Sequence, residues 1–140
     1  MRSIGIIPAR FDSTRFPGKP LVDILGKPMI QRVYEQAQKA NSLHEVLVAT
    51  DDQRIFDAVQ DFGGKVVMTS SKHQSGTDRC LEALENIDEP FEIVVNIQGD
   101  EPYISPEQIQ LILSCFHQEN TEIATLVKLI DDAKDLWNPN

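Results

Sequence analysis

EVLVATDDQRIFDAVQDFGGKVVM, residues 45–68, is the stretch that decides the fold. Glu45–Thr50 is a short apolar run rich in β-branched residues, the pattern of a strand buried on both faces. Asp51 and Asp52 interrupt it. From Gln53 to Phe62 the apolar positions Ile55, Phe56, Val59 and Phe62 recur at helical spacing, which predicts an amphipathic helix. Gly63-Gly64 ends that helix, because glycine enters the left-handed conformation that follows a last turn without steric cost. Lys65–Met68 is then a second short strand. A strand, a helix and a strand within 24 residues make a crossover unit with parallel strands.

The same alternation extends outward in both directions. Toward the N-terminus, Ser3–Ile7 is an apolar run that ends at Pro8. Pro28–Ala40 places Met29, Ile30, Val33, Tyr34 and Ala37 on one helical side. Toward the C-terminus, Ser75-Gly76-Thr77-Asp78 has capping-box spacing and opens a helix with Cys80, Leu84 and Ile87 along one face. Glu92–Ile97 is a strand. Ser105-Pro106-Glu107-Gln108 is a helix start, with a serine cap and proline at the first position, and Ile109, Ile112, Leu113 and Phe116 follow at helical spacing. Glu122–Ile130 reads as a further strand. The expected fold is an α/β domain with a mainly parallel sheet between layers of helices. No repeat, low-complexity tract or linker divides it. The chain stops at Trp137-Asn138-Pro139-Asn140, just after a strand and a polar turn, which suggests a cut chain.

In such sheets ligands lie beyond the carboxyl ends of the strands, and there the polar segments fall. Pro8–Lys19 carries Arg10, Arg15, Lys19, two hydroxyls and a glycine. Arginine can grip phosphate oxygens in a fork, lysine adds a compact charge, and loop N–H groups serve the remaining oxygens. It is an anion-binding loop or an ordinary surface loop. It is not a Walker loop, because Pro20 follows Lys19 where Ser or Thr is required. Nor does a GxGxxG follow the first strand. Asn96-Ile97-Gln98-Gly99-Asp100-Glu101-Pro102 leads a strand into an acidic turn. It is either a solvated turn or a place for Mg²⁺, an ion held by one or two carboxylates plus phosphates and waters. Gly99 would admit close backbone approach. Gln74–Arg79 is sufficient as a helix cap, and its N-terminus can also meet an anion or a base edge. Thr50-Asp51-Asp52 either caps the following helix or touches ligand.

The formal net charge of −9 argues against nucleic acid or an anionic membrane as partner. Yet Arg2, Arg10, Arg15, Lys19 and Lys27 gather near the N-terminus, which suits a small anion. Cys80 and Cys115 lack metal-site spacing and are expected to be buried, inert thiols. His44, His73 and His117 are scattered and are not expected to bind metal. No apolar run approaches a membrane span, and no signal peptide is evident, so a cytoplasmic location is expected.

PARxxSTRxPGKPL, ATDD, SGTDR and NIQGDEP, in this order and spacing, resemble the 3-deoxy-manno-octulosonate (Kdo) cytidylyltransferases over the whole chain. The first and last motifs are the specific ones. The resemblance implies a three-layer α/β/α, Rossmann-like fold of the nucleotide-diphospho-sugar transferase kind, with residues 1–140 as the nucleotide-binding portion of a single domain. It implies that a second portion would carry more sugar-binding residues, a second metal-binding aspartate and most of a homodimer contact. The implied substrates are CTP and Kdo, the cofactor Mg²⁺, and the product a precursor of lipopolysaccharide. Lys19, Arg10 and Asp100 would be catalytic, with Asp100 on the metal and Gln98 on the sugar acid. Pro8, Ala9, Arg10, Arg15, Lys19, Ser75, Thr77 and Arg79 would meet the nucleotide. The rivals are a sialic-acid cytidylyltransferase, against which STRFPGKPL argues, and an incomplete or non-catalytic CTP-binding fragment. A receiver-like domain would need acids in the first loop.

Overall fold

The computed structural model describes residues 1–12, 15–118 and 120–122. The strand expected over Glu122–Ile130 lies outside them, Glu122 apart. Chain order is β1 (Ser3–Ala9), β2 (Asp23–Ile24), β3 (Lys27–Pro28), α1 (Met29–Gln38), β4 (Glu45–Thr50), α2 (Gln53–Asp61), β5 (Val66–Met68), α3 (Gly76–Glu85), β6 (Ile93–Asn96) and α4 (Pro106–Ser114). Among the described residues four strands form a parallel sheet in the order β5-β4-β1-β6, with Ile6 opposite both Leu47 and Asn96.

Side-chain alternation divides the core between the two faces of this sheet. Ile7, Val48, Val95 and Ile97 face α1, α2 and α4, meeting Ile30, Val33, Ile55, Val59, Ile109 and Leu113. Ile4, Ile6, Leu47 and Ala49 face α3, meeting Cys80 and Ala83. Among the described residues one helix, α3, packs on the second face, and Val94 and Asn96 on β6 are exposed. The layering follows from handedness. The chain steps from β1 to β4 to β5 in one direction, then crosses back to β6 on the far side of β1. Right-handed crossovers in opposite directions place their helices on opposite faces. Strand order therefore reverses between β1 and β6, and the loops leaving these two strands diverge to open a crevice.

Three elements differ from expectation. β1 runs through Pro8 to Ala9 rather than stopping before the proline. The last bond between β1 and the β6 side is Ile97 N–H to Ile6 O at 2.9 Å. Pro8, two residues on, faces the side where that ladder has ended, so its missing N–H costs no bond. Asp23–Pro28 forms an unexpected hairpin, β2 with β3. Its turn residues Leu25 and Gly26 have φ of 52° and 94°, the hand that suits a two-residue hairpin. Finally, Cys115 is exposed, against the expectation of a buried thiol. It falls off the inward stripe of Ile109 and Leu113, at the C-cap of α4. Cys80 is buried as expected, and burial pushes its thiol up to about 11, where it stays protonated at neutral pH.

Candidate functional site

The crevice is lined by backbone-rich ends of β1 and β6 and by the start of α3. Two adjoining cavities share Pro8, Ala9, Arg10 and Gln98. The first, about 190 Å³, is completed by His73, Gln74, Ser75, Gly76 and Arg79. The second, about 300 Å³, is completed by Lys19, Pro20, Gly99 and Asp100.

The loop from Arg10 to Lys19 is closed at its base by Gly18 N–H donating to Phe11 O at 2.8 Å. Gly18 has φ 74°, and a Cβ there would stand 2.9 Å from the Phe11 ring, so the closure requires glycine. Arg54 of α2 stacks on Phe11, its guanidinium carbon 3.3 Å from the ring centroid. Gly18 leads into a short 3-10 turn, Lys19–Leu21, which turns the lysine toward the end of β6. There Lys19 Nζ lies 3.6 Å from Asp100 Oδ2. Their side chains are 43% and 56% exposed, so both charges remain accessible to a ligand. Gly99 sits where a Cβ would stand 3.1 Å from Pro8 O, which explains why the acidic turn begins with a residue that has none.

Across the crevice, Ser75 caps α3, its Oγ accepting from Asp78 N–H at 3.2 Å and donating to Asp78 Oδ2 at 2.9 Å. Arg79 is 3% exposed. It donates to Thr69 Oγ1 and to Ser70 O, and lies 3.8 Å from Asp51 Oδ2. An arginine so enclosed orders the loop while only grazing the cavity. Asp52 caps α2 through Arg54 and Ile55 N–H. The Arg54 guanidinium, then these amides, hold its carboxyl below the usual aspartate range against the opposing effect of burial. The Asp51-Asp52 pair is thus occupied structurally, and neither residue lines either of these two cavities.

Of the residues expected from sequence, Pro8, Ala9, Arg10, Ser75, Arg79 and Gln98 meet around the first cavity, and Lys19 and Asp100 join at the second. Arg15, exposed, and Thr77, whose Oγ1 accepts from Asn96 Nδ2 at 3.5 Å, stand outside both linings. The cationic N-terminal stretch is not one patch. Arg2 pairs with Glu89 and Lys27 with Glu35, while Arg10 and Lys19 face the cavities. His73 was missed as a lining residue, and Gln74, read within the Gln74–Arg79 segment, was not singled out as a site residue. The signal available was their position immediately before the SGTDR segment.

A crevice at the reversal of strand order, with cations on one wall and a helix start on the other, is the ligand position of an open α/β sheet. The chain belongs to the cytidylyltransferase family, whose model matches residues 4–140. The 3-deoxy-manno-octulosonate cytidylyltransferase of Parabacteroides distasonis is 62% identical, covering 100% of this chain and 57% of its own. That of Cytophaga hutchinsonii is 54% identical, over 98% of this chain and 54% of its own. A solved structure of CMP:2-keto-3-deoxy-manno-octonic acid synthetase complexed with CTP superposes with TM-score 0.81 at 48% identity, over 85% of this chain and 48% of that one. The chain spans about half the length of the relatives it matches. Among the described residues, no helix is long and apolar enough to cross a membrane.

Proposed function

We propose that the protein of which this chain is the nucleotide-binding portion transfers CMP from CTP to Kdo, releasing pyrophosphate. The observation that carries this is the meeting of Lys19 and Asp100, 3.6 Å apart, in a cavity that adjoins the pocket of Ser75 and Gln74. The triphosphate would lie along Arg10 and Lys19, and the nucleoside against the start of α3. The anomeric hydroxyl of the sugar attacks the α-phosphorus, and pyrophosphate leaves in line. The protein's part is positioning and charge stabilisation. Lys19 stabilises charge at the reacting phosphate, Arg10 and Arg15 hold the remaining oxygens, and Gln98, common to both cavities, orients the sugar acid. Pro8 and Ala9 offer backbone groups, while Ser75, Thr77 and Arg79 order or contact the nucleotide.

Asp100 is the carboxylate that lines these cavities, and a single carboxylate fits a magnesium ion carried largely by nucleotide phosphates, which asks the protein for one or two. Asp100 would hold it, and the bound ion would neutralise phosphate charge. A cytoplasmic location, a homodimer in the whole protein and a product destined for lipopolysaccharide accompany this assignment through the family resemblance.

Pyrophosphate release by the intact protein with CTP and Mg²⁺ tests it, with Kdo and sialic acid compared as acceptors. Release with Kdo alone is expected. Release with sialic acid alone would keep the nucleotide site and overturn the sugar. CTP binding without release from either acceptor would favour a non-catalytic CTP-binding module.

A further inference from the structure

Residues 69–75 form a wall outside the regular elements, anchored at one end by Thr69 N–H to Thr50 O at 2.8 Å and folded by a turn at Ser71-Lys72. Side chains of α3 tie it to the helix. Arg79 grips Thr69 and Ser70 O. One turn further along, Glu82 Oε2 accepts from Ser70 N–H at 2.8 Å and lies 2.8 Å from His73 Nε2. Glu82 lines neither cavity of the crevice, whereas His73, Gln74 and Ser75 line the first.

We propose that Glu82 is a positioning residue for the nucleotide pocket. By tying Ser70 and His73 to α3, it fixes the His73–Ser75 wall at the distance a nucleoside needs. Without Glu82, one charge-assisted bond to a backbone amide and the bond orienting the His73 ring are both lost. The loop would then sample positions in which Gln74 and Ser75 no longer face Pro8 and Ala9. The assignment rests on the pocket taking CTP, so its test is built to separate the two.

In the intact protein, Glu82→Ala and Glu82→Gln are compared with wild type by amide exchange without nucleotide, by CTP binding in calorimetry, and by turnover. Glu82→Ala is expected to speed exchange at residues 70–74 about tenfold, raise the CTP Kd and KM about tenfold, and leave kcat within about twofold. Glu82→Gln keeps an oxygen for the Ser70 amide and is expected to restore most of both effects, which also serves if the alanine variant fails to fold. Unchanged exchange in the loop of folded Glu82→Ala would overturn the role of Glu82 whatever the ligand, as would a Glu82→Gln variant that restores neither slow exchange nor CTP affinity, since the oxygen it keeps for Ser70 would then hold nothing. A loosened loop with undiminished CTP affinity would overturn it as a determinant of the pocket. A wild type that binds no CTP would overturn the nucleotide assignment, and with it the pocket role of Glu82.

Discussion

On the β1 side of the crevice the charges are at the surface and face each other: Lys19 and Asp100, each roughly half exposed. On the α3 side the corresponding cation, Arg79, is buried, hydrogen-bonded to Thr69 and Ser70 and paired with Asp51. The first pair is weak, since exposed ion pairs contribute about 0–1 kcal/mol. In the proposed reaction an incoming triphosphate and its metal ion would replace it with little loss. The second arrangement cannot be exchanged for ligand without leaving polar groups unpaired. One wall is therefore built to react with its guest, and the other to keep its shape.

Substitutions should separate the walls. Asp100→Asn is expected to lower turnover by about a thousandfold or more with an unchanged melting temperature, read from pyrophosphate release and thermal unfolding. Near-normal activity would end its metal role. Arg79→Met should act in the opposite sense, costing about 3 kcal/mol of stability because a buried partner is removed, and denaturant titration would show it. A stability loss below about 1 kcal/mol would mean that the wall does not depend on it. Lys19→Ala should lower kcat about a hundredfold while shifting stability by under about 1 kcal/mol. A large drop in melting temperature with normal turnover would reassign it as structural. The smallest effect concerns acid. Asp52 and Glu82 both have carboxyls held below their ordinary values, Asp52 first by Arg54 and Glu82 first by the Ser70 amide. Folded values below unfolded ones mean stability present above the unfolded pKa, about 4, and lost as pH falls through the folded values. Unfolding followed from pH 6 downward should therefore show stability declining below about pH 4, and Asp52→Asn should flatten that decline.

Much of the scaffold was legible because burial here follows period. Ile55 and Val59 in α2, Cys80 and Leu84 in α3, and Ile109 and Leu113 in α4 face inward as their spacing indicates. Arg10, Lys19, Gln98 and Asp100 converge because strand ends in a parallel sheet share one edge, a consequence of topology rather than of local pattern. What local pattern could not reveal depended on neighbours distant in sequence. Pro8 extends a strand only because β6 diverges there. Leu25 adopts a positive φ only because the hairpin requires it. The bond of Glu82 to His73 spans a loop whose path is not encoded in any short motif. Arg79 was expected at the nucleotide, but its burial is a three-dimensional fact that no window of sequence contains.

Pro8 and Ala9 form a floor common to the two cavities, and Gly99 extends it in the second. These are residue types with almost no side-chain rotamer freedom to lose. A ligand landing there freezes no rotamers beneath it, and the floor's contour is fixed by strand spacing before the ligand arrives. The ordering cost of binding falls instead on the long side chains at the rim, Arg10, Lys19 and Gln98.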